Sequence, residues 1–150
     1  ETGLYLSWQE TLFRVFENSI TIKSHPKEKY GLSYSFPNIN LVSGSFSDLL
    51  NEVEVFVFDY IGTAFNEACS TNKPVIYFDL GIRNIHIDAL RQIKKRTIYF
   101  DIKHGMPTLS EIQDRLFYEN KENTYTVNYS LCNNDKDRVQ SLSEGIQKFF

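Results

Sequence analysis

The stretch from Val53 to Asp79, VEVFVFDYIGTAFNEACSTNKPVIYFD, constrains the fold most, because it reads as a strand, a tight turn, a short helix and a second strand. Val53, Val55 and Val57 with Phe56 and Phe58 make a nearly continuous apolar run of the β-branched and aromatic kind that suits a parallel strand covered on both faces. Asp59 ends that run. Gly62 and Thr63 then open a helix whose apolar positions, Ala64, Phe65, Ala68 and Cys69, recur at helical spacing. Asn72, Lys73 and Pro74 close it, and PVIYF is the next strand.

In open parallel sheets, ligands sit outside the carboxyl ends of the strands, where loops and helix starts converge. The turn from Asp59 to Thr63 is such a place. Its free backbone N–H groups and the Thr63 hydroxyl suit a phosphate, whose charge the helix start favours. Glu67, four residues after Thr63, shares that helix face and can accept hydrogen bonds from a ribose diol. The same spacing also suits a Thr63 that only caps the helix and a solvated Glu67.

The 150 residues suit one domain with a real core, and 41% hydrophobic with 15% aromatic residues excludes wholesale disorder. Lys and Arg number 16 against 19 Asp and Glu, for a net charge of −3, which argues against a nucleic-acid binder with a generally basic surface. Cys69 and Cys132 give neither a zinc spacing nor a disulfide framework, so a reducing compartment is expected. There is no Walker loop, dinucleotide fingerprint or nucleophile elbow. No metal and no cofactor is therefore expected. No apolar run approaches the roughly 20 residues of a membrane-spanning helix, which leaves peripheral membrane contact open.

From the start of the chain, Glu1–Gly3 are left outside the predicted fold. Ser7 and Glu10 form a capping-box pattern ahead of Trp8, Leu12, Val15 and Phe16, predicting a first helix from about Trp8 to Glu17. SITIK is the first strand. A helix ahead of the first strand is unusual for a doubly wound domain, so a piece of a longer protein is expected. His25 stands at the end of SITIK with Pro26 behind it, placed either to donate to a phosphate or to be an ordinary surface histidine. Tyr30, Tyr34 and Phe36 follow in a loop that suits either a loose aromatic cover or satellite core, and core is the reading taken.

Asn40–Val42 reads as a strand and Ser47–Asn51 as a short helix before the Val53 run, which is taken as the central strand. Arg83, in the loop after Asp79, can reach a diphosphate. Ile87, Leu90 and Ile93 define a helix over about Ile85 to Lys95, whose last cations, Lys94, Lys95 and Arg96, complement its dipole. Thr97–Asp101 is a further strand, and the Thr108/Glu111 capping box starts a helix carrying Ile112, Leu116 and Phe117. Glu119–Asn134 is polar and read as loop, and Val139, Leu142, Ile146 and Phe149 outline a closing amphipathic helix. His86 and His104 lack ligand-spaced partners and are taken as structural or solvated. The fold expected is α/β: a Rossmann-like open parallel sheet of about five or six strands with helices on both faces.

The order KSHPKEK, then SDLLNEVEVFVFDYIGTAFNEACSTNKPVIYFD, resembles the carboxyl-terminal half of GT-B-fold glycosyltransferases, above all bacterial capsule and surface-carbohydrate enzymes such as CDP-glycerol polymerases and CMP-sugar transferases. The resemblance implies a donor-phosphate contact at His25 and Pro26, phosphate binding at Gly62 and Thr63, and ribose binding at Glu67, with Asp59 and Arg83 as accessory residues. Where many relatives carry two small hydroxyl residues in this turn, Ile61 and Gly62 precede Thr63 here.

The function expected is binding of a CMP-, CDP- or UDP-linked donor for glycosyl or glycerophosphate transfer in surface polysaccharide biosynthesis. The expected location is the cytoplasm, at the inner face of the membrane if the whole protein associates with it. No catalytic base is identifiable, and the acceptor-binding domain lies elsewhere. Two other readings stay open: a nucleotide-sugar epimerase of the same fold, and a Rossmann-like scaffold without catalysis.

Overall fold

The computed structural model describes residues 2–16, 20–23 and 39–119. His25 and Pro26, the aromatic loop with Tyr30, Tyr34 and Phe36, Cys132 and the closing amphipathic helix lie outside the described residues. The chain divides into two units, Glu1–Leu49 and Leu50–Phe150.

In the first unit, helix α1 (Thr2–Val15) precedes two strands, β1 (Ile20–Lys23) and β2 (Ile39–Val42), which pair in parallel with Ile20 opposite Ile39. Helix α1 starts upstream of the expected cap. Ser7 is therefore a mid-helix residue whose carbonyl accepts from the Thr11 hydroxyl at 2.9 Å, and Glu10 pairs with Arg14 at 2.7 Å instead of capping. Leaving Gly3 outside the fold was incorrect for the same reason. Trp8 and Phe13 of α1 are buried.

The second unit is a βαβαβ run. Strands β3 (Phe56–Phe58), β4 (Val75–Asp79) and β5 (Ile98–Asp101) are all parallel in the order β3-β4-β5, with helix α2 (Thr63–Cys69) crossing from β3 to β4 and helix α3 (Ile87–Arg96) from β4 to β5. Helix α4 (Leu109–Tyr118) follows. The α/β class and the parallel pairing are as expected, while the described strands form sheets of two and three rather than one of five or six. The central strand of the larger sheet is β4, all five of whose residues are buried. The Val53 run, expected as the central strand, pairs only through Phe56–Phe58, at the sheet's edge. The chain ahead of them is tied down by Lys73, whose Nζ donates to the carbonyls of Leu50 (2.7 Å) and Val53 (2.6 Å).

Register aligns Phe58, Tyr77 and Tyr99 on one face, where Phe65 of α2 meets Phe58 and Tyr77 edge to face, each with ring centres 5.5 Å apart. Phe78 stacks on Phe100 on the opposite face, under the Arg115 guanidinium of α4. Helices therefore cover both faces of this sheet, which is why β4 reads as an unbroken apolar run. Helix α4 starts on the expected capping box, with the Thr108 hydroxyl accepting from the Glu111 amide at 3.2 Å and the Glu111 carboxylate accepting from the Thr108 amide at 2.9 Å. Ile112 is buried, whereas Phe117 is 84% exposed and is no core residue.

Arg96 departs most from expectation. It is 2% exposed, and its guanidinium donates to the carbonyls of Cys69 (3.0 Å), Thr71 (2.9 Å) and Lys73 (3.0 Å). The cation complements a helix C-terminus, but that of α2 instead of its own. The buried stripe of α3 is accordingly Ala89, Ile93 and Arg96, and Ile87 is exposed. Beneath Arg96 the Cys69 thiol is fully buried and is pushed up to about 12 by burial, with the nearby cation pulling the other way. No helix among the described residues is long and apolar enough to cross a membrane.

Candidate functional site

Each strand of the larger sheet ends on an aspartate: Asp59 directly after β3, Asp79 as the last residue of β4 and Asp101 as the last of β5. The sequence carries the signal for this as FVFD and two copies of IYFD. The three carboxyls share the carboxyl edge of one sheet but do different work. Asp79 is buried and bound, accepting from the Gly81 amide at 2.8 Å and the Tyr99 hydroxyl at 2.6 Å. Gly81 makes this turn at φ +69°, a backbone conformation glycine adopts without strain. Asp101 accepts from the Lys103 amide at 3.0 Å.

Asp59 is half-buried, and burial pushes its carboxyl above the ordinary value, with its own backbone N–H and the Arg83 cation acting in the opposite sense. Arg83 is exposed and lies over the Tyr60 ring, 4.3 Å from its centre, which joins the β4–α3 loop to the turn after β3. No carboxylate lies within ion-pair distance of Arg83 among the described residues.

Between Asp59 and α2 the chain passes Gly62, the N-cap, in extended conformation and with no side-chain cap hydrogen bond. A Cβ at Gly62 would stand 2.9 Å from the Tyr60 ring, so a larger residue here would require that exposed ring to move. Thr63 is the first residue inside the helix, exposed, and its hydroxyl has no hydrogen-bond partner among the described residues. Of the two readings of Thr63, capping is excluded, since Gly62 holds that position. The amides of Thr63, Ala64 and Phe65 precede the first helical hydrogen bond, from Asn66 N to Gly62 O, and have no partner within the helix. Glu67 lies one turn along α2 and is half-buried.

The structure thus brings Asp59, Gly62, Thr63 and Arg83 to one edge, the last through Tyr60, and leaves Glu67 one turn further along α2. His25 lies outside the described residues. Sequence reasoning missed Tyr60, Tyr77, Asp79 and Tyr99; only the aromatic–Asp strand ends pointed to them. His86 is the exposed N-cap of α3, its ring accepting from the Asp88 amide, and His104 is exposed near Asp101. No group of three or more His, Cys, Asp or Glu side chains suited to a metal occurs among the described residues.

A family model described as LIC12162 family transferase matches residues 5–88, more than half of the chain and all of the stretch from Asp59 to Arg83. No curated protein and no solved structure matches the chain.

Proposed function

The chain belongs to the LIC12162 family of transferases, and from that premise we propose that it binds a nucleotide-activated donor at the carboxyl edge of the β3-β4-β5 sheet. The group transferred is sugar-like or glycerol-like, and the product is a surface glycan. The observation that carries this reading is the start of α2: amides without a side-chain cap and a Thr63 hydroxyl without a hydrogen-bond partner among the described residues, beside an exposed Arg83 that makes no ion pair among them. Amides at a helix start, a hydroxyl and a cation together are what a phosphate needs.

In this reading Gly62 lets the chain come close, Thr63 and the α2 amides hold one phosphate, Arg83 attracts the charge of a second, and Glu67 accepts from the ribose hydroxyls one helical turn away. His25 is proposed as a further phosphate contact on the strength of the sequence alone. In this reading the chain is a Rossmann-like half of a GT-B fold, working in the cytoplasm with a second domain that holds the acceptor and supplies its base. Donor classes are CDP-, CMP- or UDP-linked.

Calorimetric titration with CMP, CDP and UDP tests this. His25→Ala and Thr63→Ala should each weaken binding by about 1.5–3 kcal/mol, the worth of a hydrogen bond to a charged group, with unchanged melting. Unchanged affinity in both variants would remove the phosphate-site assignment.

A further inference from the structure

Arg83 is exposed and water satisfies its guanidinium, so its open donors call for nothing by themselves. What the structure fixes is where the cation stands. The loop that carries it is anchored two residues earlier, where the Gly81 amide, at φ +69°, donates to Asp79 at 2.8 Å and the Lys103 stem lies across the glycine. Beyond that anchor the guanidinium makes no hydrogen bond and no ion pair among the described residues, and it lies over the Tyr60 ring, 4.3 Å from the ring centre. A cation on the face of an aromatic ring is attracted by the ring's quadrupole, and this contact leaves the N–H groups of the guanidinium free to donate.

The same ring lies against Gly62, where a Cβ would stand 2.9 Å from it. One side chain therefore joins the chain at the start of α2 to the loop between β4 and α3. An arginine on its own samples many rotamers, and a ligand that binds it must first order it, which costs part of the attraction. Held on Tyr60, the cation is placed in advance. The contact uses the ring and not the Tyr60 hydroxyl, which makes no hydrogen bond among the described residues. Phenylalanine would hold Arg83 as well as tyrosine does, whereas leucine would not.

Resting on the donor-binding reading above, we infer that Tyr60 is a positioning residue that holds Arg83 beside the turn into α2 for the second phosphate of the donor, so that the pair selects donors linked through a diphosphate over those linked through a single phosphate. With one phosphate on the turn, the second is the group that meets a cation brought in from a different loop. A nucleoside monophosphate has no group to offer there. Of the CDP-, CMP- and UDP-linked classes, the pair fits the CDP and UDP ones.

The test measures affinities of the full chain for CDP against CMP and for UDP against UMP, by calorimetry, in wild type, Tyr60→Phe, Tyr60→Leu, Arg83→Gln and the Tyr60→Leu/Arg83→Gln double variant. The wild type should prefer the diphosphate of the base it binds by roughly tenfold, and Arg83→Gln should lose that preference with affinity for the monophosphate unchanged. Tyr60→Leu should lose about three- to fivefold for the diphosphate alone, the scale of one exposed cation–π contact, and Tyr60→Phe nothing. Because Tyr60 acts through Arg83, the double variant should match Arg83→Gln to within about twofold. A wild type that binds monophosphate and diphosphate equally overturns the selection while donor binding stands. So does a Tyr60→Leu variant that keeps the wild-type ratio or weakens both ligands equally, or a double variant whose losses add. A lowered melting temperature with an unchanged ratio makes Tyr60 structural and overturns its positioning role too. Binding of no nucleotide by the wild type overturns the donor reading and this inference together.

Discussion

Replacing Arg96 by Met removes the guanidinium but keeps an unbranched apolar stem of similar reach in a site that is 2% exposed. Three hydrogen bonds go with it, to the carbonyls of Cys69, Thr71 and Lys73 at 3.0, 2.9 and 3.0 Å. Each is a bond from a cation, worth about 1.5–3 kcal/mol in gross terms, but the sum overstates the effect because burying the guanidinium is itself costly. Each carbonyl left without its donor costs about 1–3 kcal/mol, and with two of the three only partly buried and the guanidinium's own burial cost relieved, a net loss of about 3–5 kcal/mol is expected. The loss falls on the segment that ends α2 and leads through Lys73 into β4, so the whole β3-β4-β5 sheet should feel it. Urea denaturation followed by far-UV circular dichroism measures it, and the thermal midpoint should fall by ~10–20 °C. Arg96→Lys keeps the charge but offers a compact ammonium in place of a planar fork, so it should recover only part of the loss. A Met variant within about 1 kcal/mol of wild type, or a Lys variant equal to wild type, would refute the reasoning.

Asp59 has a raised carboxyl value, so its contribution to stability is fully present below the ordinary 3.8 and is lost as pH rises through its folded value. Asp59→Asn should therefore melt higher than wild type at neutral pH, with the gap closing as pH falls toward 3.8; a gap that widens on acidification contradicts this. Thr108→Ala removes half of the α4 capping box and should cost about 1 kcal/mol in urea denaturation. A neutral result would mean that α4 does not depend on its cap.

What could be read from the sequence was whatever local chemistry decides. The Thr108/Glu111 box, the turn from Asp59 to Thr63 and the order of strands and helices depend on neighbours along the chain, and all stand where the residues put them. The Ser7/Glu10 pattern misled because a capping box is only a cap if the helix starts there, and Thr2–Gly3 continue α1 upstream. Arg96 could not be read locally: a cation in a last turn reads as complementing its own helix, and only packing brings it to the carbonyls of α2. The exposure of Ile87 has the same origin, since spacing does not choose between a stripe through Ile87 and one through Ala89, Ile93 and Arg96. At the site, Asp59, Thr63 and Glu67 were visible as a contiguous motif. Tyr77 and Tyr99 were indistinguishable as strand aromatics, because it takes register and the turn at Gly81 to give Asp79 to the Tyr99 hydroxyl.

The central claim is that the turn after β3 holds the donor phosphate, and a titration of the 15N-labelled chain with CDP followed by amide chemical shifts tests it most directly. Amides that donate to a phosphate move downfield and saturate together, so Gly62, Thr63, Ala64 and Phe65 should shift along one binding curve, with Arg83 following the same curve. Shifts confined to residues away from this turn, or no shift at millimolar CDP, CMP or UDP, would contradict the account.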